Sequence, residues 1–156
     1  MHIRTYRDSD LERVLEITVL AFDGVSIDQN IEAKYGRIGG RSWEDRKRWN
    51  IEDDIRANPS GVFIAEVDGK VVGYITTRLN PRSRIGWIPN LAVDPAYHGR
   101  GIGRRLIDEA LGYFRDNGME FAKIETLEQN RVCLRFYPKL GFDEVARQVH
   151  YVMRLR

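Results

Sequence analysis

A cluster of glycines and arginines about two thirds along the chain has the spacing of an anion-binding loop. It runs from His98 to Arg104 and lies between a β-rich stretch ending at Val93 and an apolar helical pattern that includes Leu106. Glycines let successive backbone amides point the same way, and a following helix adds four unpaired amides and its positive dipole end. Positive charge comes from Arg100, Arg104 and Arg105. The pattern therefore predicts phosphate binding.

This loop departs from two common nucleotide-binding motifs. A dinucleotide-binding Gly-x-Gly-x-x-Gly would need its third glycine where Arg104 stands, and it would open the first βαβ unit of the chain. A P-loop would need Lys followed by Ser or Thr, but Gly103 is followed by Arg104 and Arg105. A different phosphate-containing ligand is expected.

The loop and its surroundings resemble the GNAT superfamily of N-acetyltransferases. Residues 98–103 are similar to that family's Arg/Gln-x-x-Gly-x-Gly/Ala signature for the pyrophosphate of acetyl-CoA. Upstream, residues 90–95 resemble the strand whose splayed end exposes backbone groups to the pantetheine arm. Downstream, residues 130–142 resemble the second hallmark, where Asn and Tyr approach the cofactor. The order of the expected elements also matches along nearly the whole chain.

The resemblance implies acetyl-CoA as cosubstrate and a set of residues that hold it. These are Leu91, Ala92, Val93, His98, Gly99, Arg100, Gly101, Ile102, Gly103, Arg104, Asn130 and Tyr137. It implies that Tyr137 is the general acid that protonates the departing thiolate, the alternative being a tyrosine packed between a helix and a strand. The position of Glu125 resembles that of the base in the branch that acetylates ribosomal proteins and protein amino termini. The alternative is that Glu125 is a solvated carboxylate without a catalytic role. The strand from Ile85 to Val93 carries no carboxylate for this task.

The implied reaction is direct acetyl transfer to a primary amine of a protein amino terminus, a lysine or a small molecule. A lysine-like amine is protonated at neutral pH, and its deprotonation costs about 4–5 kcal/mol at pH 7. A base is therefore required. No activated nucleophile for a covalent intermediate is evident, because Cys133 is the single cysteine and Gly-x-Ser-x-Gly is absent.

Two other functions compete with this one. A non-catalytic acyl-CoA-binding or interaction module would keep the loop and lose the chemistry, and Pro89, His98 and Pro138 are the departures that favour it. An RNA-associated basic protein is the weaker alternative, because the net charge is only +2. We expect no nucleic-acid partner.

Elements that could position these residues follow from hydrophobic periodicity and turn signals. Expected helices include one that Asp8, Ser9 and Asp10 could cap, whose apolar stripe runs from Leu11 to Phe22 and which ends near Gly24. Others are one capped by Ser42 that stops before Pro59, one through Leu106 and Phe114, and a short one at residues 132–140. Residues 25–40 have poor periodicity and are expected to form a loop with one short helix.

Expected strands are residues 2–6, 62–67, 70–77, 85–93, 121–127, 142–145 and 149–153. The Asp68-Gly69 pair predicts a hairpin between the second and third of these strands. Pro89 should interrupt its strand with a bulge or an unpaired edge. The fold expected is mixed α/β: one domain over residues 1–156 with a mostly antiparallel, splayed sheet of six to seven strands and helices on both faces.

Composition sets the remaining expectations. The chain has 156 residues, a single cysteine and no apolar run that would span a bilayer, so we expect a cytoplasmic protein without a disulfide, a membrane partner or a metal site. We expect the acceptor surface to come from residues 21–49, where aromatic and acidic contacts are offered by Phe22, Asp23, Asp28, Glu32, Tyr35, Trp43 and Trp49. The basic group Arg41, Arg46, Lys47 and Arg48 is interpreted as a solvated helix face. Residues 41–49 could instead form a homodimer contact or a substrate lid.

His98 generates a prediction of its own, because Arg or Gln is usual at that position of the signature. Histidine changes its charge between about pH 5 and 8. If its ring lies near a phosphate, acetyl-CoA should bind more weakly as the pH rises. The dissociation constant measured from about pH 5.5 to 8.5 checks this expectation, and an unchanged pH profile in His98→Gln would contradict it.

Overall fold

A five-stranded sheet lies at the centre of the computed structural model, which describes residues 1–156. Its strands, in spatial and chain order, are β1 (His2–Thr5), β2 (Phe63–Val67), β3 (Lys70–Asn80), β4 (Ile85–Val93) and β5 (Phe121–Ile124). The helices are α1 (Leu11–Phe22), α2 (Ile27–Tyr35), α3 (Trp43–Ala57), α4 (Ile102–Asp116) and α5 (Arg131–Lys139). Strands β1 to β4 pair antiparallel, and β4 pairs with β5 in parallel. No helix has the length and apolar character needed to cross a bilayer.

Local sequence signals account for most of these boundaries. Asp68 and Gly69, which join β2 to β3, both have positive φ values, of 52° and 73°, as a tight hairpin turn requires. Ser42 caps α3 by accepting a hydrogen bond from the Asp45 amide at 3.4 Å. The hairpin, the mostly antiparallel sheet and the Ser42 cap are therefore confirmed.

Asp10 has a different role from the expected cap of α1. Its carboxylate accepts hydrogen bonds from both terminal nitrogens of Arg4, at 2.7 and 2.8 Å, and from the Arg7 amide at 2.8 Å. Arg4 also donates to Glu66, so it ties β1 both to β2 and to the turn before α1. The pKa of Asp10 is lowered, mainly by the hydrogen bonds from Arg4. A tertiary ion pair thus uses the oxygens that the sequence assigned to the helix end.

The sheet is covered on both faces by separate apolar clusters. One cluster joins the sheet to α4 and contains Ile75, Ile88, Leu106, Ile107 and Phe114. The other joins the opposite face to α1 and α3 and contains Val14, Ile17, Ile51, Ile55 and Tyr74. Helices therefore lie on both faces, as predicted.

Strand β4 carries one extra residue at the expected irregularity. Thr76 is opposite Asn90 and Arg78 is opposite Trp87, so a two-residue step on β3 faces a three-residue step on β4. The prediction from Pro89 is confirmed. The bulge also exchanges the two faces of the strand: Ile88 packs in the α4 cluster, whereas Ala92 packs in the α1–α3 cluster.

The expected count of six to seven strands is wrong, because residues 142–156 contain no strand. The Phe142 amide donates to the Tyr137 carbonyl at 3.2 Å, and no later residue makes a backbone–backbone hydrogen bond. A strand needs a neighbouring strand to pair its amides, and this segment has none within the chain. Strand β5 is also shorter than expected and ends at Ile124, which is paired with Ile88, the last β4 residue before Pro89.

A glycine contact between β4 and α4 gives a test of this packing. A Cβ at Gly86 would collide with the Phe114 ring, whereas a Cβ at Gly112 of α4 would meet nothing within 4 Å. Overpacking should make Gly86→Ala about 1–3 kcal/mol less stable. Its control, Gly112→Ala, should gain about 0.5–1 kcal/mol through the better helix propensity of alanine. Urea unfolding of both variants measures the two changes, and equal stabilities would contradict the packing described here.

Candidate active site

The loop between β4 and α4 presents a row of backbone amides without acceptors. The amides of Gly99 through Arg104 donate no hydrogen bond within the protein, and the first bond at the helix start is from the Arg105 amide to the Gly101 carbonyl at 3.2 Å. Gly99 and Gly101 have φ values of 78° and 75°, which favour glycine. These free amides and the helix dipole favour an anion at the α4 amino terminus.

Positive side chains surround this row of amides. The Arg100 guanidinium lies 4.9 Å from the centre of the Tyr97 ring, and Arg104 is exposed. Arg105 donates to the Met1 carbonyl at 3.2 Å. The His98 ring nitrogen Nε2 lies 3.1 Å from the Val93 carbonyl, so the ring is anchored to the end of β4. Arginine charge and free amides therefore occupy the same loop.

A cavity of about 440 Å³ adjoins the loop on the side of the β2–β3 turn. It is lined by Val67, Asp68, Lys70, Asp94, Ala96, Tyr97 and Arg100. Asp94 accepts a hydrogen bond from the Ala96 amide at 2.9 Å and forms an ion pair with Arg13. Burial acts to raise the pKa of Asp94, but these two donors outweigh it and the pKa is lowered. Asp94 thereby fixes the turn that starts the loop.

Strands β4 and β5 separate beside this loop. Their pairing ends at Ile88 and Ile124, so the later residues of β4 keep β3 as their only neighbouring strand. Of the residues predicted to line the split, Ala92 is buried against α1 and α3, while Leu91 and Val93 pack partly against the α4 cluster. The split leaves one backbone edge of β4 unpaired next to the row of amides.

Helix α5 brings Tyr137 to the α4 side of the split. Its neighbour Phe136 would lie 3.4 Å from a Cβ at Gly103, so α5 approaches the first turn of α4 closely. The Tyr137 ring lies 5.5 Å from the Phe136 ring and 5.9 Å from the Phe142 ring. Burial raises the pKa of Tyr137, and the neighbouring Cys133 raises it further. The phenol therefore stays protonated at physiological pH.

Asn130 lies at the start of the same helix. Its side-chain oxygen accepts a hydrogen bond from the Cys133 amide at 3.2 Å, which caps α5. The structure thus gives Asn130 a part in fixing the helix that carries Tyr137.

Glu125 follows β5 directly and is tied to β4. The Trp87 indole donates to its carboxylate at 2.6 Å, and the Lys123 ammonium lies 3.4 Å from the other oxygen. The side chain is 51% exposed, so water reaches it. Glu125 and Tyr137 share no hydrogen bond.

The sequence analysis did not predict a part-buried polar network that lies next to the split. The Lys47 ammonium donates to the Asn90 side-chain oxygen at 3.1 Å and lies 4.1 Å from the centre of the Phe22 ring. The Asn90 side-chain nitrogen donates to Asp54 at 2.6 Å, and Asp54 is paired with Arg78 at 2.7 Å. Helix α3 is therefore joined to β4 at the residue that follows Pro89.

Lys47 and Arg46 correct the interpretation of the basic group as a solvated helix face. Arg46 is largely buried and pairs with Asp28 of α2 at 3.4 Å. Burial lowers the pKa of Lys47, although Asp28 and Asp54 act to raise it. The missed signal was helical spacing, because Lys47 lies four residues after Trp43 and four before Ile51, both of which are buried.

The connection between α1 and α2 contacts the chain that follows β5. Gln129, which follows β5, donates to the Gly24 carbonyl at 2.7 Å and accepts from Asn30 of α2 at 2.8 Å. The poorly periodic region of the sequence therefore contacts the loop that leads from β5 into α5.

Comparison with known proteins agrees with this arrangement. The family model described as the acetyltransferase (GNAT) family matches residues 27–142, which is more than half of the chain. This chain belongs to the GNAT acetyltransferase family. The resemblance that the loop indicated is thereby confirmed.

This GNAT chain is similar to two curated proteins. It is 35% identical to a mycothiol acetyltransferase of Thermomonospora curvata, with 95% of this chain and 52% of that protein aligned. It is 29% identical to an uncharacterised N-acetyltransferase of Methanocaldococcus jannaschii, covering 91% of this chain and 60% of that protein. The chain thus spans only about half to 60% of the length of these curated relatives.

The fold is shared with a solved structure of the PaiA N-acetyltransferase from Thermoplasma acidophilum in complex with coenzyme A. The TM-score is 0.73 at 22% identity, and 91% of this chain and 89% of that chain are covered. This likeness shows the mixed α/β GNAT fold.

The lowered pKa of Lys47 gives a prediction for stability against pH. In the range between that lowered pKa and the ordinary lysine value, the unfolded chain binds the proton more tightly than the folded chain. The free energy of unfolding should therefore rise with pH in this range, relative to Lys47→Met, which has no ammonium to bury. Urea unfolding of both proteins from neutral pH to about pH 10.5 measures the difference. If the free energies of unfolding of the parent protein and of Lys47→Met change with pH in the same way, the burial of a charged Lys47 is contradicted.

Proposed function

We propose that this chain transfers the acetyl group of acetyl-CoA to a primary amine by direct transfer. The observation that carries the proposal is the row of unpartnered amides from Gly99 to Arg104 at the amino terminus of α4. A pyrophosphate needs several hydrogen-bond donors and positive charge, and this loop supplies both. The fit extends along the split, where the unpaired edge of Leu91, Ala92 and Val93 could bind the amide groups of a pantetheine arm.

In this proposal the amine nitrogen attacks the thioester carbonyl, the bond from carbon to sulfur breaks, and the thiolate takes a proton. Tyr137 is the proposed donor of that proton. Its raised pKa keeps the phenol protonated, and the contact of Phe136 with Gly103 holds α5 beside the loop. The amide product is neutral, so the proton lost by the amine must go to a base.

Glu125 is the proposed base. Trp87 and Lys123 hold its carboxylate in place, and its exposure allows it to act directly or through one water. Glu125 directly follows the last β5 residue that pairs with β4, whereas the row of amides follows the end of β4 itself. Acid and base are thus proposed to come from different elements that flank one cleft.

The proposed acceptor is a small-molecule amine. A cavity of about 310 Å³ lies at the end of the β3–β4 hairpin and is lined by Arg78, Leu79, Asn80, Ser83, Ile85, Trp87 and Lys123. Trp87 and Lys123 are also the two residues that contact Glu125. That volume lies at the lower end of the range for small-molecule sites. The 35% identical relative named mycothiol acetyltransferase supports the same acceptor class.

The proposed function is tested by release of coenzyme A thiol from acetyl-CoA with a panel of amines. The panel should contain small-molecule amines that carry sugar, carboxylate or thiol groups, together with lysine and amino-terminal peptides. Thiol release that depends on a small-molecule amine supports the proposal. Binding of acetyl-CoA without turnover on any amine would favour the non-catalytic module instead.

Substitution of the proposed acid and base should lower the rate without preventing cofactor binding. Because general acid or base catalysis contributes about 10²–10⁴-fold, Tyr137→Phe and Glu125→Gln should each reduce kcat by at least about 100-fold. The matched controls are Tyr113→Phe and Glu120→Gln, which lie outside the cleft and should keep the rate. Steady-state kinetics at saturating acetyl-CoA measure these changes. A kcat within about twofold of the parent protein would contradict the assigned role.

A further inference from the structure

A row of three side chains crosses the sheet near the start of β4. Arg78 of β3 is paired with Trp87 of β4, and Trp87 is paired with Lys123 of β5. Residues paired across neighbouring strands share one face of the sheet, so the backbones of Arg78 and Lys123 are about 10 Å apart with Trp87 between them. Because Ile88 packs in the α4 cluster, its neighbour Trp87 and the whole row lie on the opposite face of the sheet.

Arg78 keeps most of its hydrogen-bond donors free. Its guanidinium carries several N–H groups, but the side chain donates one hydrogen bond, to Asp54 at 2.7 Å. The Nε atom of Arg78 is buried without an acceptor, and no other buried side-chain nitrogen or oxygen of the chain lacks a partner. Buried donors in folded proteins are nearly always paired. The unpaired guanidinium donors therefore indicate a place for an acceptor that the protein itself does not supply.

Lys123 brings a second positive charge to the same cavity at the end of the β3–β4 hairpin. Its ammonium lies 3.4 Å from the Glu125 carboxylate, and its side chain is 56% exposed. Both cations line the cavity of about 310 Å³, and they lie 5.9 and 5.7 Å from the centre of the Trp87 ring. The cavity thus contains two positive charges on the strands that flank an aromatic ring.

The surface around this cavity carries an excess of positive charge. Three ion pairs balance their own charges there: Arg78 with Asp54, Lys123 with Glu125, and Arg84 with Glu120. Arg82, in the turn between β3 and β4, is exposed and forms no ion pair. The remaining charge favours an anion at the cavity.

We propose that this cavity binds an anionic group, a carboxylate or a phosphate, of the amine that accepts the acetyl group. The inference rests on the proposed function, because it places the acceptor amine next to Glu125. Lys123 lies 3.4 Å from Glu125, and each end of the acceptor adds one hydrogen bond of about 3 Å, so the amine and the anion are at most about 9 Å apart. The acceptor class is therefore a small amine with an anionic group at its other end.

Acceptors that differ only in the anionic group test this recognition. The anionic amines are 5-aminopentanoate and 4-aminobutyl phosphate, and pentylamine is the neutral counterpart. Because hydrogen bonds to charged groups are strong, kcat/KM for the better anionic amine should exceed that for pentylamine at least about tenfold. The better of the two anionic amines identifies the group as a carboxylate or a phosphate. A smaller preference, or a preference for pentylamine, would overturn the proposal.

Substitution of the two cations locates the recognition. Lys123→Gln and Arg78→Gln should each reduce the preference for the anionic amine at least about fivefold. The ratio of the two kcat/KM values is compared, because an effect of Lys123 on Glu125 acts on both amines alike. Arg78 also pairs with Asp54, so the exposed Lys123→Gln decides the test if Arg78→Gln does not fold.

The matched control is Arg115→Gln. Arg115 is exposed in α4, on the other face of the sheet, so this variant should keep the preference. A preference that survives the cavity variants, or one that Arg115→Gln also removes, would contradict binding of the anion at this cavity.

Binding without turnover separates this proposal from the proposed function. The chain has three tryptophans, and the indole N–H signal of Trp87 is identified by its loss in Trp87→Phe. In the presence of coenzyme A, the better anionic amine should move this signal at a concentration at least about tenfold lower than pentylamine requires. If the signal does not move, or moves alike with all three amines, the proposed anion site is wrong. If it moves as expected but no amine is acetylated, the anion site stands and only the proposed acetyl transfer is overturned.

Discussion

The extra residue that β4 carries at Pro89 is the constraint on which the rest of the site depends. Proline cannot donate a ladder hydrogen bond, and the bulge reverses the faces of the strand. After it, Asn90 points toward α3 and Lys47 instead of continuing the α4 cluster. The parallel pairing with β5 also ends there, at Ile88 and Ile124. The bulge at Pro89 thus ends the pairing of β4 with β5 and places the Asn90 side chain next to the split.

The two ends of this split have different electrostatic character. At the α4 end, free amides and arginines favour an anion without any buried charge. At the α3 end, the neutral Asn90 amide joins the Lys47 ammonium to the ion pair between Asp54 and Arg78. Burial destabilises the charged form of Lys47, so the polar and acidic groups around the ammonium are needed to stabilise it. An extended cosubstrate with an anionic end and a neutral thioester end matches this difference between the two ends of the split.

Sequence reasoning succeeded where the signal is local. The strands β2, β3 and β4 and the loop before α4 were predicted from turn residues, caps and short periodic stretches. These signals suffice because each of these elements depends on residues that are close in sequence. It was weaker for α2, which buries no residue and is held by polar contacts such as Asp28 with Arg46, so it has no apolar stripe to detect. It failed for Lys47, whose neighbours suggested a solvated face although its helical spacing indicated burial. It also failed for the C-terminal segment, because a strand pattern does not say whether a partner strand is available.

The central claim is that the amides from Gly99 to Arg104 bind the pyrophosphate of acetyl-CoA. Amide nitrogen and proton shifts in a titration with acetyl-CoA test it most directly, since Gly99, Gly101 and Gly103 are resolved from other residue types by their nitrogen shifts. The account predicts that the proton signals of these amides move downfield as they gain acceptors, and that they saturate together with the dissociation constant found by calorimetry. Binding that leaves these signals unmoved, or no binding at all, would contradict it.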